Sequence, residues 1–179
     1  RRNAARPGDG LWLSGRTGEA RLALERLRGT GWALAASADE ALCRQRLERP
    51  TPRLDLGRAL AGVAHAAIDL SDGLSGDIGH ILAASGVGAE IDVAALPVAP
   101  ALQPLAEADR LECLLNGGDD YELLFTAPAS ARDDVLRAGA AASTPVQCIG
   151  RITAEAGLRL LGPDGRARPL NARSYDHFG

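Results

Sequence analysis

The stretch AIDLSDGLSGDIGHILAASG limits the possible folds more than any other part of the sequence. It begins with an apolar run that predicts a buried strand over 66–70, and it continues with apolar residues at helical spacing, which predict a helix from about 72 to 85. Another helix is predicted over 19–28, packed through Ala20, Leu24 and Leu27. Because strands and helices alternate along the chain, the sequence predicts a sheet covered by helices, in the α/β (α+β) class.

Two carboxylates, Asp69 and Asp72, flank the junction between this strand and this helix. Two such charges about 4 Å apart repel by roughly 4 kcal/mol at an effective dielectric constant near 20, and a shared divalent cation removes that repulsion. Magnesium is commonly bound by one or two carboxylates, water and phosphate oxygens. The Ser71 hydroxyl and the first backbone N–H groups of the helix could meet a phosphate. The pattern indicates a magnesium–nucleotide site. The alternative is that Asp72 is only an N-cap and Asp69 only a surface charge.

A second acidic group follows two glycines in the stretch NGGDDYELLF, which contains Asp119, Asp120 and Glu122. A strand is predicted over 121–126, directly after the glycines and the first two acids. Paired glycines allow a ligand to approach the backbone closely. The acids could hold a cationic ligand, a hydrogen-bond donor or a metal. The alternative is a polar turn that only leads into the strand.

All twenty basic residues are arginines, because the chain contains no lysine. A phosphate site of the P-loop type, which needs a lysine, therefore cannot be built from this chain. Arginine and bound metal would have to balance phosphate charge instead. Arg49 and Arg53 flank the stretch RPTPR and could contact phosphate, although solvated arginines are the simpler interpretation.

The composition is that of a globular protein, with 46% apolar and 24% charged residues and a net charge of −3. This charge gives no electrostatic reason to expect binding to nucleic acid, and no apolar run is long enough for a membrane span. Three widely spaced cysteines, Cys43, Cys113 and Cys148, suit reduced thiols better than disulfides or a zinc site. We therefore expect a cytoplasmic protein. The absence of methionine indicates that the chain is a piece of a longer protein or a processed one.

Six motifs, taken in order, resemble the C-terminal part of the thiamine-monophosphate kinases of the aminoimidazole ribonucleotide synthetase superfamily. They are RPGDGLWLSG, RPTPRL, AIDLSDGLSGDIGHI, NGGDDYELLFT, CIGRIT and YDHF, and the resemblance extends over nearly the whole chain. It implies a mixed β-sheet flanked by helices, similar to the C-terminal domain of aminoimidazole ribonucleotide synthetase. It also implies ATP-dependent phosphorylation of thiamine monophosphate to thiamine diphosphate.

The same resemblance implies roles for individual residues. Asp69 and Asp72 match magnesium ligands of the family, and Ser71 matches a contact to ATP. Asp119 and Tyr175 match positions that bind the substrate. Many family members carry glutamate where this chain has Asp119, so the carboxylate here is one methylene shorter. No catalytic side chain is expected, because the attacking phosphate oxygen of the substrate is already ionised.

The resemblance further implies a division into residues 1–16, an exit strand and linker from a missing N-terminal ATP-binding domain, and residues 17–179, the C-terminal domain. The chain alone is then expected to be inactive. The expected partners are small molecules, ATP with Mg²⁺ and thiamine monophosphate, with a homodimer in the full-length protein and no nucleic acid or membrane. The alternatives are an aminoimidazole ribonucleotide or selenophosphate synthetase of the same superfamily, or a non-catalytic domain that binds nucleotide or metal.

Overall fold

A computed structural model describes residues 1–34, 40–162 and 164–169, which form one sheet with helices on both faces. The sheet order is β2-β4-β1-β5-β3-β6-β7, in which β3 and β6 are parallel and all other neighbours are antiparallel. The predicted mixed sheet is therefore confirmed. The strands are β1 (Gly10–Ser14), β2 (Ala66–Asp69), β3 (Gly88–Asp92), β4 (Leu123–Ala127), β5 (Val146–Thr153), β6 (Gly157–Leu161) and β7 (Ala167–Pro169).

Seven α-helices are found in the described residues, with short 3₁₀ turns at 93–95, 100–102 and 129–131. The helices are α1 (Glu19–Leu27), α2 (Gly31–Leu34), α3 (Glu40–Glu48), α4 (Leu54–Ala59), α5 (Leu74–Ser85), α6 (Glu107–Asn116) and α7 (Arg132–Ala141).

Side chains of β1 alternate between two apolar cores, one on each face of the sheet. Leu11 and Leu13 belong to the larger core, which also contains residues of α1, α5 and α6. Trp12 belongs to the smaller core, where it stacks on Phe125 of β4 and where α4 and α7 pack. The central position of β1 thus makes the sheet the boundary between two helical layers.

The apolar face of α1 differs from the predicted one. Leu27 is 61% exposed, whereas Ala20, Leu22 and Ala23 are buried in the larger core. The face of α1 that packs on the core is therefore turned toward Leu22 and Ala23 and away from Leu27. The small alanine side chains let the helix lie close to its neighbours. The short helix α2 follows α1 after a turn of three residues.

The cysteines are free thiols, as predicted. Burial raises the pKa of Cys113 to about 12, so this thiol is protonated at neutral pH and is not a nucleophile. Within the part of the chain that the structure describes, none of the helices has the length and apolar character that crossing a bilayer requires.

Candidate functional site

The two acidic motifs, separated by about fifty residues in sequence, are hydrogen-bonded to each other. The Asp119 N–H donates to the Ser71 carbonyl at 3.0 Å, and the Tyr121 N–H donates to the Leu70 carbonyl at 2.9 Å. The Leu70 N–H in turn donates to the Glu122 carbonyl at 2.8 Å. These bonds extend the pairing of β2 with β4 beyond the end of the sheet, so both motifs reach the same edge.

Close contact between the motifs requires a glycine at position 118. A Cβ atom added to Gly118 would lie 2.5 Å from the Ser71 carbonyl oxygen, which is far inside van der Waals contact. The next residues turn sharply, since Asp119 has φ 67° and Tyr121 has φ 50°. Such left-handed backbone costs about 1–3 kcal/mol at a non-glycine residue and is concentrated at functional sites. The hydrogen bonds to Ser71 and Leu70 hold this turn in place.

A cavity of about 340 Å³ lies where these segments meet. It is lined by Arg21, Leu24, Arg28, Ser71, Asp72, Gly118, Asp119 and Tyr121. The structure therefore brings together three of the predicted site residues, Ser71, Asp72 and Asp119. Asp69 is the last residue of β2, three positions before Asp72. Its side chain is exposed and lies outside the lining of the cavity. The predicted substrate contact Tyr175 lies outside the described residues.

The start of α5 is organised by Asp77, for which no role was predicted. The N-cap of the helix is Gly73, with φ 109° and no capping side chain, so the alternative that Asp72 is only an N-cap is wrong. The buried Asp77 carboxylate accepts hydrogen bonds from the N–H groups of Ser71 and Asp72, both at 3.0 Å. Those two N–H groups are therefore not available to a phosphate.

Negative charge accumulates at this end of β2. Burial raises the pKa of Asp77, and the charges of Asp72 and Asp69 raise it further, while its two backbone hydrogen bonds lower it. Both predicted metal-binding carboxylates thus lie near the same buried carboxyl group. Asp69 has no ion-pair partner among residues 1–34, 40–162 and 164–169.

The donor set at this end of β2 fits a magnesium ion better than a metal enclosed by protein ligands. In the described portion of the chain, no group of three or more His, Cys, Asp and Glu side chains is placed to hold a metal. Asp69 and Asp72 offer two carboxylates, and Mg²⁺ commonly takes one or two carboxylates and completes its octahedron with water and phosphate oxygens. A metal bound here would thus be shared with a phosphate-bearing ligand.

The three acids of the second motif have different environments. Asp119 lines the cavity, and its carboxylate has no ion pair with any other described residue. Asp120 is 1% exposed and accepts a hydrogen bond from the Gly18 N–H at 2.8 Å. Glu122 is fully buried and paired with arginines. Of the three acids, only Asp119 is therefore placed to contact a ligand in the cavity.

The partners of Glu122 explain the RPTPR stretch. Arg53 donates from Nε and Nη2 to the two carboxylate oxygens of Glu122, both at 2.7 Å, and Arg46 Nη2 donates to Oε1 at 2.8 Å. The Ser14 hydroxyl donates to Oε2 at 2.5 Å. Arg53 is consequently mostly buried and bound to Glu122, so the interpretation of Arg53 as a solvated arginine is wrong.

A larger cavity of about 470 Å³ borders this ion cluster and has Glu122, Arg46 and Arg53 in its wall. Its two carboxylates, Glu19 and Glu122, are both paired with arginines of the same wall, so neither is left for a cationic ligand. The smaller cavity contains both acidic motifs and an unpaired carboxylate. Chemistry rather than volume therefore identifies the smaller cavity, with Asp69 and Asp72 at its edge, as the candidate site.

Sequence reasoning missed Arg21, Arg28, Tyr121 and Asp77. Tyr121 was predicted inside a strand, but β4 begins at Leu123, and Tyr121 lines the cavity. A signal for the arginines was present, because positions 21, 24 and 28 have the i, i+3, i+7 spacing of one helix face. No local pattern predicts the role of Asp77, since its carboxylate meets the N–H groups of Ser71 and Asp72 only because the chain turns at Gly73.

The stability of this region should depend on the ionisation of Asp120. Burial raises the pKa of Asp120 to about 7 from an ordinary 3.8, so between these pH values the native state holds a proton that the unfolded state has lost. The stability contributed by the protonated form is complete below about pH 4 and is lost as the pH rises through 7. From pH 5 to pH 8, we expect the wild-type free energy of unfolding to fall by about 2–3 kcal/mol more than that of Asp120→Asn.

Urea unfolding of both proteins at pH 5, 6, 7 and 8 measures this difference. Asp133→Asn, at an exposed carboxylate of α7, is the matched control and should follow the wild-type pH profile. Parallel profiles for wild type and Asp120→Asn would show that Asp120 is ionised throughout this pH range.

Three comparisons with known proteins agree on the relatives of this chain. The family model described as "AIR synthase related protein, C-terminal domain" matches residues 6–162. The curated thiamine-monophosphate kinase of Escherichia coli K12 is 39% identical over 178 residues, which are 99% of this chain and 54% of that protein.

Among solved structures, thiamine-monophosphate kinase from Stenotrophomonas maltophilia superposes with a TM-score of 0.82 at 44% identity, covering 94% of this chain and 54% of that one. A structure described as AaThiL complexed with AMPPCP and TMP superposes with a TM-score of 0.78 at 30% identity, covering 99% of this chain and 53% of that one. The chain thus spans about half the length of the curated relatives it matches.

Proposed function

Because the chain belongs to the AIR synthase related family, through the C-terminal domain of that family, we propose that it forms the acceptor-binding half of a thiamine-monophosphate kinase. The proposed reaction transfers the γ-phosphoryl group of ATP to thiamine monophosphate and gives thiamine diphosphate and ADP. The observation that carries the proposal is the cavity that unites Ser71, Asp72 and Asp119. The names of the relatives, and a relative solved with the ATP analogue AMPPCP and TMP, support it.

The proposed roles follow from the chemistry of each side chain. Asp119 carries an unpaired carboxylate in the cavity and is suited to bind the cationic or hydrogen-bond-donating part of the acceptor. The Ser71 hydroxyl is the proposed contact to ATP. Tyr175 is the second proposed contact to the acceptor. Asp120 and Glu122 support the site from behind and do not contact the substrates.

Asp69 and Asp72 would hold Mg²⁺ together with phosphate oxygens and water. The bound ion supplies neutralising charge to the phosphates, as metal ions do in phosphoryl transfer generally. The acceptor phosphate oxygen is ionised at neutral pH, so no residue has to remove a proton from it. A bond forms between this oxygen and the γ-phosphorus while the bond from the γ-phosphorus to the ADP oxygen breaks. The chain's contribution is therefore binding and orientation.

We expect the full-length protein to produce thiamine diphosphate from ATP and thiamine monophosphate in the presence of Mg²⁺, and the 179-residue chain alone to show no turnover. The reason is that the described residues provide an acceptor cavity and two metal ligands but no complete metal site. Chromatographic detection of thiamine diphosphate, with ADP measured in parallel, tests both statements.

Assays of the full-length protein with the substrates of the alternative synthetases distinguish those activities from the proposed kinase activity. Formation of aminoimidazole ribonucleotide or selenophosphate, without thiamine diphosphate, would refute the proposed kinase. Ordinary turnover by the 179-residue chain would refute the second expectation. The homodimer and the cytoplasmic location stay predictions.

A further inference from the structure

The candidate cavity carries both signs of charge on different elements. Asp72 follows β2, and Asp119 lies in the turn before β4, whereas Arg21 and Arg28 come from α1. Leu24 lies between the arginines on the same helix face and adds an apolar surface. A cavity with this lining suits a ligand that is cationic at one end, anionic at the other and partly apolar between them.

The two arginines of the cavity wall contact the same carboxylate, that of Glu25. Arg21 Nε lies 3.0 Å from Glu25 Oε1, and Arg28 Nη1 donates to the same oxygen at 3.1 Å. The Thr30 hydroxyl donates to the other oxygen of Glu25 at 2.6 Å. Burial tends to raise the pKa of Glu25, but the Thr30 hydrogen bond and the Arg21 charge outweigh it and lower that pKa. One ionised carboxylate is thus shared by two guanidinium groups.

Arg21 keeps hydrogen-bonding capacity for a ligand. Its Nε is buried close to Glu25, but it makes no hydrogen bond within the described residues, so this contact is an ion pair only. A guanidinium has five N–H donors in a planar fork that matches the oxygens of a phosphate. Glu25 holds the charged group at the cavity wall without using up these donors.

We propose that Arg21, assisted by Arg28, binds the phosphate group of the acceptor, so that the cavity recognises thiamine monophosphate by its charge at both ends. This inference rests on the proposed function. The acceptor carries a cationic thiazolium ring, which suits Asp119, and a phosphate ester, which suits the arginines. Arg21 would then discriminate the phosphorylated acceptor from unphosphorylated thiamine, which has the same ring but lacks the anion.

The test is Arg21→Gln in the full-length protein, assayed for KM and kcat with thiamine monophosphate and for competitive inhibition by unphosphorylated thiamine. Because a hydrogen bond to a charged group contributes about 1.5–3 kcal/mol, we expect KM for thiamine monophosphate to rise roughly 10- to 100-fold. KM for ATP and the inhibition constant of thiamine should change less than about twofold, since neither depends on the contact between Arg21 and the acceptor phosphate. Arg21→Lys, which keeps the charge, should recover part of the loss.

Arg44→Gln is the matched control. Arg44 Nε donates to Glu48 at 2.6 Å, in the same i, i+4 arrangement as Arg21 and Glu25, but on α3 and outside the cavity wall. Its KM for thiamine monophosphate should equal that of the wild type. If Arg21→Gln lowers the thermal midpoint so far that it cannot be assayed, Arg28→Gln, at a more exposed arginine, gives the same comparison.

Two outcomes would overturn the inference. One is a KM for thiamine monophosphate unchanged by Arg21→Gln and Arg28→Gln, and the other is an equal weakening of thiamine and thiamine monophosphate, which would assign the arginines to the stability of α1. A wild-type protein that does not phosphorylate thiamine monophosphate at all would instead refute the proposed function. The wild-type assay therefore separates the two failures.

Discussion

Replacing Asp72 by asparagine in the full-length protein is expected to lower kcat/KM by about 10²- to 10³-fold, the range found when one electrostatic contact to a transition state is removed. Asparagine keeps the shape of the side chain but loses one negative charge, and its amide oxygen is a weaker ligand for Mg²⁺. Asp69→Asn is expected to have an effect of similar size. The physical reason is that both carboxylates lie near the buried carboxyl group of Asp77, and this concentration of negative charge favours a bound cation.

Steady-state assays over a range of Mg²⁺ concentrations test this expectation. If the carboxylates bind the metal, both variants should need more Mg²⁺ for half-maximal rate, and high Mg²⁺ should restore part of the activity. Asp133→Asn, at an exposed acid of α7, should retain the wild-type rate and Mg²⁺ dependence. Full activity of Asp69→Asn and Asp72→Asn at low Mg²⁺ would remove the basis of the proposed metal site.

Replacing Glu122 by alanine is expected to lower the free energy of unfolding by about 3–5 kcal/mol, because it breaks a buried ion cluster from one side. The fully buried carboxylate accepts hydrogen bonds from Arg53, Arg46 and Ser14. Without it, two mostly buried guanidinium groups have no carboxylate at the centre of the cluster. Since small domains are stable by only about 5–15 kcal/mol, Glu122→Ala should unfold at much lower urea concentration.

Urea denaturation followed by circular dichroism measures this loss. Glu155→Ala is the control, because Glu155 pairs with Arg159 at 2.6 Å but is 82% exposed, and exposed pairs contribute only about 0–1 kcal/mol. The double variant Glu122→Met with Arg53→Met should lose less stability than the sum of the two single variants, since each single change leaves one buried charge unpaired. A loss below about 1 kcal/mol for Glu122→Ala would contradict the cluster's proposed role in stability.

The order of strands and helices followed from local sequence. Apolar runs and helical spacing predicted β2 and α5 nearly to their observed ends, because burial of one face imposes a period on the residues of each element. The exceptions have tertiary causes. The packed face of α1 was predicted from Ala20, Leu24 and Leu27, of which Ala20 is buried but Leu27 is exposed, because the sequence does not say from which side the neighbouring elements approach.

The sequence by itself determined which residue types were present for phosphate chemistry: paired acids at a strand end, glycines before further acids, and arginine as the sole basic residue. Only the tertiary structure decided which of these groups reach a common cavity. Asp119 faces that cavity, whereas Glu122, three residues later, is fully neutralised by Arg46 and Arg53. The reason is that charge pairing depends on distance in space, and only the folded chain brings Arg46 of α3 and Arg53, just before α4, to Glu122.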